Sequence, residues 1–535
     1  MRSSSDRPLN RREFIGQASC AAVGSTALFS TLLTLRLANS LAAQTVSPGG
    51  DYRALVCLFL AGGNDSFNML VPTSAGEYEA YAKTRGILAI AKDSLLPITP
   101  SNLGGRTLGL NPAMPEVQNL FNAGRLAFVS NVGSLIRPLT LTDYKAGRYL
   151  PVSLYSHADQ VKQWQTCMPD KRTSIGWGGR AADIIKSLNG PSLVSMNISL
   201  SGQNVFLTGL QAFTYSVGSS GATSLTGYSP TAVNSLTSVR TKGVDSIVGQ
   251  NYRNLFEQTY AQSTRDAVDS YYEFSAALTG VTLKTTIPTG NSLAANLAMI
   301  AKIISANSKF GARRQIFFVQ LGGFDNHSEL IANQATLLTT VSQAINTFSS
   351  ALTEIGMADK VTLFSASDFG RTLSSNSNGS DHAWGANHLV MGGAVGGGKV
   401  YGDAASGYYP DFQKLSTIDT GQGRLIPGVA VDEYARDLLS WFGISNGNMD
   451  YVLPAFSSRF DGRPSLGLFS ASNPAPTTPA TPAAPAVTTP ASSGGGGGAP
   501  SPIFLGALSA LALLKLRQKR LASRQAAARR MPDVA

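Results

Sequence analysis

Apolar runs of strand length recur along the chain and alternate with segments of helical spacing. The run at 53–60 reads RALVCLFL and shows no polar alternation. A strand of this kind is buried on both faces, as it is in a parallel sheet covered by helices. Further strands are predicted at 126–132, 194–198, 316–321 and 361–366. The pattern therefore predicts an α/β domain built on a mostly parallel sheet.

Helical spacing predicts helices at 111–123, 291–308, 329–355 and 432–442, and two more that open near residues 157 and 176. The helix at 329–355 joins the strands at 316–321 and 361–366 in a βαβ unit. Asp432 is the expected N-cap of the last helix, because its side chain can accept from the first free backbone N–H groups. We predict one α/β domain over residues 44–470, with a Ser- and Gly-rich insertion or cap at about 201–289.

The first 43 residues have the features of an export signal. Residues 10–15 read NRREFI, which resembles the twin-arginine motif, and a weakly apolar stretch with a small-residue cleavage site at 40–42 follows. We predict that the twin-arginine machinery exports the protein to the periplasm or the outer cell surface. A cytosolic amphipathic helix is the alternative. Proteins on this route are often exported folded with a cofactor bound, which favours a metal.

The composition changes twice towards the C-terminus. Residues 471–502 consist mostly of Pro, Thr, Ala, Ser and Gly, which predicts a disordered stalk. Residues 503–535 form a short apolar stretch, 503–514, followed by a basic tail. A bilayer span needs roughly twenty residues, so this stretch is short for one. The order favours a C-terminal sorting signal that a protease removes, with a retained membrane anchor as the alternative.

The charge distribution bears on the partners of the protein, and the cysteine content bears on its disulfides. The 535-residue chain has a formal charge of +11. Most of this charge lies at the two ends, so a nucleic-acid partner is not predicted. Beyond the signal only Cys57 and Cys167 remain. Cys57 is expected in the core, and a disulfide between the two cysteines is left open.

Asp325 and His327 follow the predicted strand at 316–321. If this segment stays extended, positions i and i+2 point the same way, which suits two ligands of one cation. A set of Asp and His favours zinc or another first-row metal such as manganese over calcium. The alternative is a turn in which Asp325 caps the helix that begins near Ser328.

A second group of candidate ligands comprises Asp381, His382 and His388. An Asp-His pair close to another histidine is typical of two-metal hydrolases, in which one cation clamps the attacking oxygen and the other the leaving oxygen. The alternative is a polar, glycine-rich loop without a ligand.

Three further positions are candidates for chemistry. Asp368 ends the strand at 361–366 as a third carboxylate, and Arg371 is the expected contact for an anionic substrate. An internal ion pair between these two residues is the alternative. Asp65 follows the strand at 53–60 in a Gly-Gly-x-Asp turn like that of Asp325, so both turns are expected to face one crevice. Ser156, next to His157, is the most suggestive hydroxyl nucleophile.

Several motifs occur in one order along the chain. They are the twin-arginine start, LFLAGGND at 58–65, GWGGR at 176–180, GGFDNH at 322–327, SDFGRT at 367–372, DH at 381–382 and GGA at 392–394. Together they resemble the exported bacterial family known as domain of unknown function 1501. That family in turn resembles, more distantly, the alkaline phosphatase and sulfatase superfamily.

The resemblance implies a fold, a set of ligands and a chemistry. It implies a three-layer α/β/α sandwich that binds one or two divalent metals through Asp and His at strand ends. It also implies Arg371 as an anion contact. The metal ligands it implies are Asp65, Asp325, His327, Asp368, Asp381, His382 and His388.

Two functions from different classes follow from these observations. The first is an exported metal-dependent hydrolase that acts on a phosphate or sulfate ester, of a small molecule or a polymer, with zinc or manganese as cofactor. The second is a surface-displayed binding or structural protein on the same fold. A metal with an open coordination position would distinguish the enzyme, because a closed site is typical of a structural metal.

Overall fold

The structure, a computed structural model, describes residues 51–469. The chain divides into the units Met1–Pro479 and Ala480–Ala535, and the described residues all belong to the first. The predicted signal at 1–43, stalk at 471–502 and C-terminal segment at 503–535 lie outside the described residues.

The described residues form two β-sheets. The strands are β1 (Arg53–Leu60), β2 (Leu70–Pro72), β3 (Leu96–Ile98), β4 (Leu108–Leu110), β5 (Leu126–Gly133), β6 (Asn197–Ser199), β7 (Thr214–Ser216), β8 (Arg314–Leu321), β9 (Val361–Ser367), β10 (Ala386–Met391), β11 (Val400–Tyr401) and β12 (Val429–Ala430). The main sheet has the order β11-β5-β10-β9-β1-β8-β6-β7, with β12 also paired to β5. A small antiparallel sheet has the order β2-β4-β3.

Strand direction determines which loops meet at an edge of the main sheet. β10 is antiparallel to β5 and β9, whereas the other pairs of this sheet are parallel. In the register, Leu60 of β1 lies beside Leu321 of β8 and Ser367 of β9, so these three strands end at one level. Because β10 starts where they end, the segment before β10 meets the turns that follow β1, β8 and β9.

The central strand is buried on both faces, as its unalternating apolar run predicts. Leu55 and Cys57 belong to one hydrophobic core, and Val56 and Leu58 belong to the other. Helices cover both faces, so the predicted three-layer α/β/α sandwich with a mostly parallel sheet is confirmed.

The helices of residues 51–469 vary widely in length. The α-helices are α1 (Ser66–Met69), α2 (Glu77–Arg85), α3 (Pro115–Asn122), α4 (Leu141–Lys145), α5 (His157–Thr166), α6 (Trp177–Ile185), α7 (Leu236–Val248), α8 (Leu255–Leu278), α9 (Ser292–Ser305), α10 (Leu330–Glu354), α11 (Val431–Phe442), α12 (Asn446–Val452) and α13 (Phe456–Arg459). The 3₁₀ turns are Gly86–Leu88, Lys92–Ser94, Lys186–Leu188, Asn307–Phe310, Ala358–Lys360, Ala404–Ser406 and Leu415–Thr417. Within this part of the chain no helix is long and apolar enough to cross a membrane.

Each face of the sheet has its own set of helices. Side chains of α3, α9 and α10 belong to one core, and side chains of α5, α6, α11 and α12 belong to the other. The segment predicted as an insertion or cap at 201–289 contributes β7 to the edge of the main sheet and continues through α7 and α8.

The prediction that Asp432 caps the closing helix was wrong. The N-cap of α11 is Ala430, whose backbone N–H donates to the carboxylate of Glu433. Asp432 is buried instead and accepts from Arg459 Nη1 at 2.9 Å. Glu433 therefore makes the local capping contact, and Asp432 forms an ion pair with Arg459.

The two cysteines do not pair. Cys57 on β1 and Cys167 at the C-terminus of α5 are both free and buried. The disulfide that the sequence left open is absent, and burial raises the pKa of both thiols. Both side chains contribute to the same apolar core.

Candidate metal centre

The carboxyl edge of the main sheet gathers polar side chains from distant parts of the chain. Asp325 lies in the turn after β8, and Asp368 directly follows β9. His382 lies four residues before β10 and reaches the same edge because β10 runs in the opposite direction. His157, the first residue of α5, completes the group.

A close approach of two turns brings these residues together. Gly62 has a φ of +116°, and a Cβ built on it would lie 2.4 Å from the backbone nitrogen of Asp325. The turn after β1 therefore packs backbone against backbone on the turn after β8, which a residue with a side chain could not do. The backbone N–H of Gly62 also donates to Asp368 Oδ1 at 2.9 Å, which links the third turn.

Three ligand atoms form a compact triangle at this edge. His157 Nε2 lies 3.1 Å from His382 Nε2, and Asp325 Oδ1 lies 3.4 Å from the first and 3.5 Å from the second. The three residues form a group of the kind that could hold a metal ion. In a tetrahedral zinc site with bonds of about 2.0–2.1 Å, ligand atoms lie roughly 3.3 Å apart. The triangle therefore has the dimensions of one face of such a site.

His327 stands beside this triangle. Its Nε2 atom lies 3.0 Å from His382 Nε2 and 3.0 Å from Asp325 Oδ1. Its ring is nearly half exposed, at 45%. The histidine therefore borders the site on the side that faces solvent.

The opposite nitrogen of each histidine faces an acceptor. His157 Nδ1 lies 2.7 Å from Asp368 Oδ2, His327 Nδ1 lies 3.2 Å from Asp381 Oδ1, and His382 Nδ1 lies 2.8 Å from the backbone carbonyl of Tyr155. A carboxylate and a carbonyl can only accept, so in each pair the ring N–H donates. The neutral imidazole then has a lone pair on Nε2, and this arrangement is typical of metal-binding histidines.

The donor set fits a divalent cation. The Nε2 lone pairs of His157 and His382 face each other with no hydrogen atom between them, and Asp325 Oδ1, which accepts from Arg371, lies beside both, so a cation here would relieve the repulsion between the lone pairs. Burial lowers the pKa of His382 against the opposing effect of its bond to Tyr155, which keeps this ring neutral and able to coordinate. Nitrogen donors with one carboxylate are ligands that zinc accepts readily.

Five of the seven predicted ligands lie in or directly behind the cluster. Asp325, His327 and His382 lie in the cluster, whereas Asp368 and Asp381 lie one step behind it and hold the rings of His157 and His327. Both aspartates were predicted as direct ligands, and each of them contacts the Nδ1 atom of a histidine in the structure. Their carboxylates face ring N–H groups and orient the ligands instead of offering oxygens to the pocket.

Asp65 does not join the cluster. Its side chain forms a buried ion pair with Arg85, and its backbone carbonyl accepts from Gln334. Burial raises its pKa although the charge of Arg85 opposes this effect. The carboxylate predicted as a ligand is therefore committed to an arginine on α2.

His388 lies away from the cluster on β10, with its ring 4.6 Å from that of Trp164 and stacked on Tyr434. Burial lowers its pKa to about 3, and its Nδ1 has a long contact of 3.4 Å with Ser365 Oγ. The histidine predicted as a ligand is therefore a neutral residue of the aromatic core. His388 is the third residue of β10, and its ring packs beside Trp164 and Tyr434 instead of reaching the edge of the sheet where the cluster lies.

Arg371 contacts groups of the protein itself. Its side chain is fully buried and donates to the carbonyls of Gly62, Gly63 and Ser380 and to Asp325 Oδ1. Arg371 therefore holds Asp325 and three backbone carbonyls, and its ion pair is with Asp325 and not with Asp368, which was the alternative. Burial alone would raise the pKa of Asp325, but the hydrogen bond and charge of Arg371 lower it, so Asp325 stays a carboxylate.

Ser156 precedes His157 and caps α5 without a side-chain bond to that helix's backbone. Its hydroxyl donates to Asp159 Oδ2 at 3.0 Å, and Asp159 also accepts from Arg172. The predicted nucleophile is therefore next in sequence to a ligand, but its hydrogen bond runs to a carboxylate that an arginine neutralises.

Sequence reasoning missed His157 as a ligand. It lies 168 positions before Asp325 and follows no predicted strand, and it drew attention only as the neighbour of Ser156. The ring of Phe369 lies 4.6 Å from the rings of both His157 and His382, which places an aromatic wall beside the site. The one available signal was that His157 is among only four histidines in the chain.

Comparison with known proteins agrees with the motifs. Residues 245–417 match the family model described as "Protein of unknown function (DUF1501)". The match confirms the predicted resemblance to that family. No curated protein matches the chain.

Solved structures resemble the chain at low identity. The C-terminal periplasmic domain of EcEptC from Escherichia coli has a TM-score of 0.31 and 10% identity, covering 76% of this chain and 88% of that one. A TAB5 alkaline phosphatase mutant with Mg bound in the M3 site has a TM-score of 0.25 and 9% identity, covering 64% and 91%. The PsFucS1 sulfatase from Pseudoalteromonas sp. has a TM-score of 0.28 and 10% identity, covering 83% and 76%. These TM-scores lie below 0.5, so the similarities carry no functional assignment.

Proposed function

We propose that this protein is an exported, metal-dependent hydrolase that acts on phosphate or sulfate esters. One observation carries the proposal. The Nε2 atoms of His157 and His382 and Oδ1 of Asp325 form a compact triangle bordered by His327 Nε2, while an acceptor at each Nδ1 holds every ring in the ligand tautomer.

His157, His382 and Asp325 would hold the cation, with zinc favoured by the donor set and manganese as the second choice. When bound, it would supply Lewis-acid stabilisation of the negative charge that develops on an ester oxygen. Residues of the chain itself would orient the ligands. Asp368, Asp381 and the Tyr155 carbonyl keep the rings in place, and the buried Arg371 holds the Asp325 carboxylate towards the pocket.

The exposure of the site supports a catalytic role. The side chains of Asp325 and His327 are 48% and 45% exposed, so an anionic group can reach them from solvent. A catalytic metal keeps an open position, and the triangle of His157, His382 and Asp325 leaves a fourth one. His327, oriented by Asp381, borders that position and is suited to move a proton there.

The nucleophile in this proposal is a water molecule or the hydroxyl of Ser156. Water is the first choice, because Ser156 donates to Asp159 and no histidine of the cluster accepts its proton in the described structure. A Ser156→Ala variant that keeps its activity would support water.

The same proposal includes a location for the protein and its partners. The twin-arginine motif supports export to the periplasm or cell surface, with the substrate an anionic ester of a small molecule or polymer. The segment at 503–535 supports processing by a sorting protease or attachment to a membrane. The charge distribution gives no support to a nucleic-acid partner.

A specific observation also favours the non-catalytic alternative. His327 Nε2 lies as close to His382 and Asp325 as the triangle atoms lie to one another. If it binds the cation as a fourth ligand, the site is closed, as in structural zinc sites. The protein would then be a surface-displayed binding protein with a stabilising metal.

Metal content by mass spectrometry on purified full-length protein tests the proposal. We expect about one equivalent of zinc or manganese, lost in His382→Ala and kept in the control His388→Leu, whose side chain lies in the core. The metal-loaded protein should hydrolyse an aryl phosphate or aryl sulfate. Folded wild type that takes up no metal, even after addition, would overturn the proposal. Metal lost in His327→Ala, with no hydrolysis by wild type, would favour the binding protein.

A further inference from the structure

A short, hydrogen-bonded loop lies beside the metal centre, where Arg424 contacts His382. Residues 419–424 form a hairpin in which the backbone N–H of Thr420 donates to the carbonyl of Arg424 at 2.9 Å. Asp419 Oδ1 accepts from the backbone N–H groups of Gly421 and Gly423 at 2.8 and 2.9 Å. The loop therefore holds the backbone of Arg424 in one position.

The side chain of Arg424 lies against the residues that support His382. Its Nε donates to the backbone carbonyl of His382 at 2.9 Å. Its guanidinium lies over the ring of Tyr155, 5.3 Å from the centroid, and the carbonyl of Tyr155 accepts from His382 Nδ1. Two contacts thus hold this cation beside His382 and Tyr155.

Nη1 and Nη2 of this guanidinium form no hydrogen bond within residues 51–469, although its charge helps to lower the pKa of Asp381. Only Nε forms a hydrogen bond, so the four N–H groups of Nη1 and Nη2 remain available on a half-buried side chain. Arg371 makes the contrast clear, because it is fully buried and all its nitrogens meet carbonyls, Asp325 or His327. Arg424 is the arginine beside the cluster with donors to spare.

We propose that Nη1 and Nη2 of Arg424 bind the oxyanion of the substrate, a phosphate or sulfate monoester, next to the metal centre. The planar fork of a guanidinium matches two oxygens of such a group, which a lysine ammonium does not. The stack on Tyr155 covers one face of the guanidinium and leaves its outer edge for the anion. This inference rests on the proposed function and assigns to Arg424 the role that the sequence assigned to Arg371.

A purely structural role would have a different consequence. If Arg424 only braced His382 and Tyr155, its loss would loosen a ligand and weaken metal binding. If it binds the oxyanion, its loss weakens anion binding while the metal remains. Metal content and anion affinity therefore separate the two roles.

The test compares Arg424→Gln and Arg424→Lys with wild type in the full-length, metal-loaded protein. Arg240→Gln is the matched control, because Arg240 is an exposed arginine on α7 in the segment 201–289. Metal content is measured by mass spectrometry, and the affinity for inorganic phosphate and inorganic sulfate by titration calorimetry. Using both ions shows which of the two oxyanions the site prefers.

We expect Arg424→Gln to bind the preferred ion about tenfold more weakly or worse, with its metal content unchanged. Arg424→Lys should fall between it and wild type, and Arg240→Gln should equal wild type. Unchanged anion affinity in Arg424→Gln would overturn the inference, as would loss of its metal or a metal-loaded wild type that binds neither ion. A metal-loaded wild type that binds neither ion would still be consistent with the metal centre. A wild type that takes up no metal would overturn both the proposed function and this inference.

Discussion

The proton on the far side of each imidazole decides whether a histidine of this cluster can bind a cation. Asp368 illustrates the point, because its Oδ1 accepts from the backbone N–H of Gly62 and its Oδ2 accepts from His157 Nδ1. This carboxylate places the proton of His157 away from the pocket. An acceptor behind the ligand therefore contributes to the affinity for the metal although it does not touch the ion.

Asp368→Asn should impair metal binding although the side chain keeps its size. The amide oxygen can still accept from Gly62, and the amide N–H₂ then faces His157 Nδ1 and forces the ring proton onto Nε2. We expect the affinity for zinc to fall by about 10- to 100-fold. Competition with a chromophoric chelator measures it.

Asp159→Asn is the control for this variant. Asp159 is an aspartate of α5 close to His157 in sequence, but it accepts from Ser156 and Arg172 and from no cluster histidine. Its zinc affinity should match that of wild type. Equal affinity in Asp368→Asn and wild type would show that the carboxylate does not set the tautomer.

At the scale of elements, the turns after β1 and β8 form the frame of the site. Gly62 lies against the backbone of Asp325, and its own carbonyl and N–H contact Arg371 and Asp368. One turn thus connects the carboxylate ligand, the arginine that holds it and the aspartate that supports His157. Strain in this turn would reach all three.

Gly62→Ala should destabilise the fold and weaken the site together. A Cβ at φ +116° is strained and would collide with the turn after β8. We expect the free energy of unfolding to fall by roughly 1–3 kcal/mol or more. Chemical denaturation measures the stability, and chelator competition measures the zinc affinity.

Gly322→Ala is the matched control, because Gly322 lies in the turn after β8 and a Cβ there would meet nothing within 4 Å. Its stability should stay within about 0.5 kcal/mol of wild type. If both alanine variants lose the same stability, the close approach of the two turns is not the reason.

At the scale of the whole molecule, the cluster exists only in the folded chain. His157, Asp325 and His382 lie on segments separated by tens to more than a hundred residues. A cation that needs all three binds the native state and not the unfolded one. Metal binding should therefore appear as folding stability.

Zinc should raise the thermal unfolding midpoint of the metal-stripped protein. At a free concentration 100-fold above the dissociation constant the gain is about 2.7 kcal/mol. Calorimetry with and without zinc measures it, and His382→Ala should show no gain. An equal gain in that variant would mean that zinc stabilises the protein from another site.

Much of the fold could be predicted from the chain alone. Helix α10, Leu330–Glu354, lies where helical spacing placed it, and β8, Arg314–Leu321, coincides with an apolar run. Continuous apolar runs are unambiguous here because the central strands are buried on both faces. Asp432 was misassigned because Glu433 makes the capping contact and Asp432 pairs with Arg459, 27 residues away.

The sequence by itself determined five strands of the main sheet, its mostly parallel character and three members of the cluster, Asp325, His327 and His382. It could do so because burial of a strand produces a recognisable local pattern of apolar residues. Few polar residues follow such strands, so the candidate ligands stand out. Only the tertiary structure decided that His157 joins them, that Asp368 and Asp381 stand behind the ligands, and that Asp65 and His388 lie elsewhere. The physical reason is that a direct ligand and a residue that supports a ligand differ in position by only a few ångströms. These residues are far apart in the chain, and no local sequence pattern encodes the distance between them.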